Sequence, residues 1–174
     1  MKNVSLIIRQ ATISDIEAIT DIYLDGAKYQ FSLNKKLYNI PNREVVLAHN
    51  KKQHASSLGK TIKKEGITLV AEHKGQVVGV IGVTLHRHEE HSLLRVKVSA
   101  ELDISVKETM RGYGVGTKLI QAAEVWAQKH GAERMMLHTY VGNERAINFY
   151  KKYNQFEVIG LVLAKPLKNL KKTA

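Results

Sequence analysis

Three glycines in five residues occur in Arg111-Gly112-Tyr113-Gly114-Val115-Gly116-Thr117, between a run of alternating apolar residues ending at Val106 and the start of a helical pattern. Glycine removes side chains where a backbone must turn, so N–H groups of this turn and of the first helical turn face open space. Such a terminus has unpaired donors and the positive end of the helix dipole, and it suits a phosphate or diphosphate. Arg111 and Lys118 add positive charge beside it. A tight turn with no ligand would use the same glycines. The loop is not a P-loop, since it lacks Gly-Lys-Ser/Thr, nor a dinucleotide fingerprint, whose glycines are spaced differently. Upstream, Glu101 and Asp103 are two residues apart in a strand, so both carboxylates emerge on one side. Downstream stands His138; a neutral imidazole suits base work near pH 7. Each could instead be structural: the acids paired with nearby Lys or Arg, the histidine hydrogen-bonded in the core. His86, His88, Glu89, Glu90 and His91 are spaced His-x-His-x-x-His, which reads as a solvated hairpin tip rather than a metal site.

The elements that must carry these residues can be traced from periodicity. A short strand spans 6–9, and Ser14 is a plausible N-cap for a helix with Ile16, Ile19, Ile22 and Tyr23 at helical spacing. Residues 26–42 look less regular. A mostly helical segment spans 43–64, with Val46, Leu47, His54, Leu58 and Ile62 as its buried stripe. Strands at 67–72 and 76–85 flank the turn His73-Lys74-Gly75. Leu94, Val96, Val98, Ala100, Leu102, Ile104 and Val106 then alternate strictly with polar residues, a half-buried strand. A helix over 114–130, with Val115, Leu119, Ala122, Ala123 and Trp126 inward, a strand over 134–141, a helix over 143–153 and a last strand over 156–164 complete the pattern. Hairpins followed by a βαβ crossover imply an α/β (α+β) fold: a single-domain, three-layer arrangement with a mixed, mostly antiparallel central sheet flanked by helices on both faces.

Composition limits what this scaffold could be. With 174 residues the chain makes one ordinary domain, expected over 1–164 with a basic tail over 165–174. It contains no cysteine, which excludes thiol nucleophiles, zinc ribbons and iron–sulfur clusters and is compatible with a cytoplasmic home. No apolar run approaches the roughly 18 residues needed to cross a bilayer, so no membrane partner is expected. Lys and Arg number 27 against 16 Asp and Glu, a net charge of +11 that attracts anions. The excess concentrates at Lys165, Lys168, Lys171 and Lys172 and in six basic residues between Arg43 and Lys64. No basic run is interleaved with aromatics, so nucleic acid is a poor fit.

The combination Arg-x-x-Gly-x-Gly after a strand, with Asn143, Ala146, Phe149 and Tyr150 beginning 27 residues beyond Gly116, resembles the GNAT superfamily of acetyl-CoA-dependent N-acetyltransferases. The stretch from Val106 to Leu119 is similar to that family's acetyl-CoA-binding segment and Asn143–Tyr150 to its second block. The opening Ile8-Arg-Gln-Ala-Thr-x-x-Asp15 extends the likeness over nearly the whole chain. One departure is Tyr153-Asn154-Gln155-Phe156 where the family commonly has Gly-Phe; Asn tolerates the left-handed geometry that ends a helix. Lys107 and Glu108 stand where many relatives have His-Pro.

The resemblance implies direct attack of a primary amine on acetyl-CoA in a ternary complex, with no acyl-enzyme and no metal. It implies diphosphate binding by the N–H groups of Arg111 to Thr117, pantetheine pairing along Ile104, Ser105 and Val106, and cofactor contacts at Asn143 and Tyr150. Tyr150 would be the acid for the leaving thiolate, seven residues beyond Asn143 and on nearly the same helical face; core packing is its plain alternative. The base is left open among Glu101, Asp103, His138, which stands where N-terminal protein acetyltransferases of the family carry Glu, and water. The acceptor would be an amine-bearing small molecule or peptide, in a pocket built by residues 23–38 and the helix from Arg43, together with the polar face at Glu101. A homodimer is compatible with the sequence. Two other classes compete: a catalytically silent CoA-binding or regulatory domain, and a basic nucleic-acid-binding module using 43–64 and the lysine tail.

Overall fold

The computed structural model describes residues 4–63 and 65–165. Its sheet contains β1 (Ile7–Gln10), β2 (Gly66–His73), β3 (Gln76–Arg87), β4 (Val98–Val106) and β5 (Arg134–Leu137), in that spatial order. Every neighbouring pair is antiparallel except β4 and β5, which are parallel. Lys74 and Gly75, both at positive φ, make the two-residue turn that joins β2 to β3. The helices are α1 (Ile16–Leu33), α2 (Arg43–Ile62), α3 (Val115–Lys129) and α4 (Glu144–Asn148), and a π-helical turn over Phe149–Tyr153 continues α4.

Two apolar clusters place the sheet between helices. On one face Val115, Leu119, Ile120, Ala123 and Ala127 of α3 bury against Ala71, Ile81, Val83, Ala100 and Leu102. On the other, Ile16, Ile19, Ile22 and Leu47 from α1 and α2 cover Val70 and Val80. Ala122 and Trp126 are only partly buried at the edge of the first cluster. Asn50 Nδ2 donates to buried Thr20 Oγ1 at 3.0 Å, tying α2 to α1.

Five expectations need correction. Ser14 is not the cap. Thr12 starts a short 3-10 turn, Ile13–Asp15, and its N–H donates to the Asp15 carboxylate at 2.7 Å. The segment expected to be irregular from Gly26 is helical through Leu33, because α1 continues along the sheet. Leu94–Lys97 lie outside β4: β3 ends at Arg87 opposite Val98, and alternation without a neighbouring strand leaves Leu93 and Leu94 exposed. β5 ends at Leu137, so His138 to Val141 form a loop. Residues 156–165 form no strand and expose Val158, Ile159, Leu161, Val162 and Leu163. Side chains of Leu58 and Ile62, the helical reading of Lys64, and the tail beyond Lys165 lie outside the described residues. No helix among the described residues is long and apolar enough to cross a membrane.

The start of the chain is locked by charge. Arg9 of β1 grips buried Asp15 bidentately, at 2.7 and 2.9 Å, and donates through Nε to Glu72 Oε2 at 3.0 Å. The Arg9 guanidinium holds the Asp15 carboxyl down at about 2, against an ordinary value of 3.8, even though burial opposes the shift. Asp15 therefore stabilises the fold above the unfolded value, and that contribution is lost as pH falls through about 2. Urea unfolding should show about 2 kcal/mol of Asp15-dependent stability disappearing between pH 5 and 2. Asp15→Asn should be less stable at neutral pH and flatten the curve in that window.

Candidate active site

A cleft of about 1230 Å³ runs between α1, the polar face of β4, the N-terminus of α3, the loop after β5 and α4. One end is built by the glycine turn. Gly112 and Gly114 have φ of +85° and +81°, in the left-handed region that other residues avoid, and nothing lies within 4 Å of a Cβ built on either. Gly116 answers a different need: a Cβ there would lie 2.8 Å from Phe149 Cζ, so its bareness lets α4 and the π turn close against α3. No side chain caps α3, and the N–H of Lys118, bonded to Gly114 O at 3.0 Å, shows where helical pairing begins. The N–H groups before it are oriented for an anion, with Gly112, Gly114, Gly116 and Thr117 lining the cleft. Val115 is buried, and Tyr113 packs partly buried against the α3 core and is not among the residues lining the cleft.

Alongside lies an opened strand. β5 pairs with β4 only as far as Leu137 opposite Leu102, whereas β3 accompanies β4 to Val106. Lys107 N–H donates to Val78 O, so alternation turns the Ser105 and Asp103 backbone toward β3 and that of Ile104 and Val106 toward the open edge. Arg111 Nε donates to Val106 O at 3.1 Å, and its guanidinium lies over the Tyr29 ring at 5.3 Å. An extended chain carrying amide groups could pair with the remainder of this edge. The open strand edge and the uncapped helix start together fit an extended, amide-bearing ligand that ends in an anionic group.

At the other end the titratable groups gather. Register places Thr84 and Met136 opposite Glu101 on the flanking strands. His86 and His138 each stand two residues further along, diagonal to Glu101 on its own face. His86 Nε2 lies 2.9 Å from Glu101 Oε2, and His138 Nδ1 lies 3.4 Å from Oε1. Tyr23 Oη donates to Asp103 Oδ2 at 3.0 Å. Asp103 is reached by solvent through the cleft, yet the walls strip enough water to raise its carboxyl, and the charge of Glu101 adds to the rise. Burial likewise pushes the Tyr23 hydroxyl above the ordinary phenol range, with Asp103 adding to the effect, so Tyr23 is a neutral donor.

Tyr150 lines the same cleft, its ring against Phe149 and Phe156 with centroids 5.2 and 5.8 Å away. Burial, and then the charge of Asp103, pushes its phenol up to about 12. Asn143, buried, caps α4 by accepting from Ala146 N at 3.2 Å. Tyr140 meets Tyr38 edge-on at 5.7 Å and receives a hydrogen bond from Asn34 Nδ2 at 3.0 Å. The loop after β5 thereby joins the loop after α1.

The expected site residues thus line one cleft or support its walls. Two side-chain contacts are absent from the sequence reading. His86 belongs to β3 and not to a hairpin tip, and Tyr140 and Asn34 are partners 106 residues apart. Only register and tertiary contact reveal them. The other histidines do not join His86 in a cluster: His88 bonds Ser99 at 2.8 Å and His91 pairs with Glu89 at 3.4 Å. Among the described residues no group of three His, Asp or Glu side chains could hold a metal ion.

A family model described as the acetyltransferase (GNAT) family matches residues 34–156. An N-alpha-acetyltransferase of Sulfurisphaera tokodaii is 35% identical over 98 residues, covering 54% of this chain and 59% of that protein. The chain spans about half the length of the curated relatives it matches. A solved ribosomal-protein-alanine N-acetyltransferase from Brucella melitensis superposes with a TM-score of 0.66 at 26% identity, covering 88% of this chain and 86% of that one. AAC(6')-Iy, solved with the bisubstrate analogue CoA-S-monomethyl-acetylneamine, superposes with a TM-score of 0.67 at 19% identity, covering 94% and 99%.

Proposed function

Because the chain belongs to the acetyltransferase (GNAT) family, we propose that it transfers an acetyl group from acetyl-CoA to a primary amine, with the α-amine of a peptide as acceptor. The observation that carries this reading is a single cleft joining the uncapped α3 terminus and the open β4 edge to Glu101, His138 and Tyr150. The peptide acceptor is supported by relatives named N-alpha-acetyltransferases and by the likeness to a ribosomal-protein-alanine N-acetyltransferase.

Acetyl-CoA supplies the acyl thioester. The N–H groups from Arg111 to Thr117 hold its diphosphate, and the backbone of Ile104 and Val106 aligns its arm. The Val106 N–H, on the open edge, is placed to donate to the thioester oxygen. Glu101, beside His138, takes the proton that an ammonium must lose before its nitrogen can attack. Asp103, two residues along on the same face of β4, adds a second carboxyl group beside the incoming cation.

Tyr150 faces the departing sulfur. A phenol held at about 12 does not readily give its proton to a thiolate whose own pKa is near 8.5, so Tyr150 acts chiefly by hydrogen bonding. Tyr150→Phe should lower kcat only about tenfold, the size of one neutral hydrogen bond, without changing CoA affinity.

Thiol release from acetyl-CoA over a panel of free-amine peptides and small amines tests the proposal. Turnover greatest on unblocked peptides and absent on their acetylated forms is expected. CoA binding with no turnover on any amine would instead favour a catalytically silent CoA-binding domain.

A further inference from the structure

Given the transfer reaction proposed above, we infer that His86 is a positioning residue for it, fixing the Glu101 carboxylate so that one oxygen stays presented to the cleft. His86 lies on β3, outside the glycine turn, the open strand edge and α4. Its register partner is Ser99, and Thr84 stands directly opposite Glu101, so His86 reaches Glu101 across the strand diagonal. A carboxylate accepts, so the contact at 2.9 Å is a donation from His86 Nε2–H to Oε2. That leaves Oε1 beside His138, at the looser distance of 3.4 Å.

The two histidines are unequal anchors. His138 follows the end of β5, with a side chain 74% exposed, and that loop is free of strand pairing. His86 comes from within a strand paired with β4 from Gly79 to Arg87, and its ring is about half covered. Glu101 itself has three rotatable side-chain bonds and is 44% exposed. Without a fixed donor it would sample several rotamers, and the fraction aimed at an incoming ammonium would fall. The rigid partner therefore sets the direction of the carboxylate, and His138 meets it from the cleft side.

Steady-state kinetics with acetyl-CoA and the best unblocked peptide of the panel, on His86→Ala, His86→Gln, Glu101→Gln and the double variant His86→Ala/Glu101→Gln, test this. His86→Ala should lower kcat about five- to tenfold while the KM for acetyl-CoA and the calorimetric affinity for CoA stay unchanged. His86→Gln, which keeps an amide donor, should recover most of the loss. The double variant should be no slower than Glu101→Gln, because the effect of His86 passes through that carboxylate. An unchanged kcat in His86→Ala, no rescue by Gln, or additive losses in the double variant would overturn the role.

If wild type acetylates no amine, the transfer reaction fails on its own account. A crystal structure of His86→Ala then decides the present point separately. A Glu101 carboxylate turned from its wild-type direction supports it, and an unmoved one overturns it.

Discussion

Gly114→Trp should abolish CoA binding measurable by calorimetry, weakening the affinity at least a hundredfold, while the protein stays folded. Gly114 combines the left-handed φ of +81° with an empty space where its Cβ would be, and that space belongs to the cleft beside the α3 N-terminus. An indole there occupies the volume into which the helical N–H groups point, so a diphosphate loses both room and donors. The backbone itself is strained by any side chain, at about 1–2 kcal/mol for an L-residue in this region. Gly114→Ala separates the two effects, since it carries the same strain with only a methyl in the cleft. Alanine should lower the thermal midpoint about as much as tryptophan but weaken CoA far less. Equal affinities in Gly114→Trp and wild type would show that the diphosphate lies elsewhere.

What could be read from the sequence was local. Alternation through Val98–Val106 identified the strand, and its two polar neighbours Glu101 and Asp103 emerge together on the cleft side. Glycine spacing identified the turn, because positive φ and an uncapped helix start leave a composition that survives without tertiary context. What could not be read depends on partners. Leu94–Lys97 alternates as well as β4 does, yet β3 has ended, and pairing decides whether a period-two pattern becomes a strand. The apolar run after Phe156 fails in the same way: it has the pattern of a strand and no described neighbour. The contact from His86 to Glu101 to His138 joins β3, β4 and the loop after β5, and no spacing in a single strand encodes it. Asp15 was visible as part of a family-like opening, whereas its clasp by Arg9 requires β1 to lie beside the helix start.

Glu101→Gln should lower kcat about a hundredfold near pH 6.5 with CoA affinity unchanged, the low end of what a positioned base contributes. Glutamine has nearly the same shape and can still bond to both histidines, so packing is preserved and only the capacity to take a proton is removed. The pH dependence distinguishes this role from a structural one. A peptide α-amine has a pKa near 8, so at pH 6.5 almost every acceptor arrives as an ammonium, whereas at pH 9 most arrive already neutral. The deficit of Glu101→Gln should therefore shrink toward tenfold at pH 9. Loss of the Glu101 charge also removes one of the influences that raise the Asp103 carboxyl, which moves back toward the ordinary carboxylate range. Asp103 then becomes a weaker base than it is in the wild type. A deficit that stays constant from pH 6.5 to 9 would mean that Glu101 shapes the cleft without accepting the proton, and proton removal would then fall to His138, Asp103 or water.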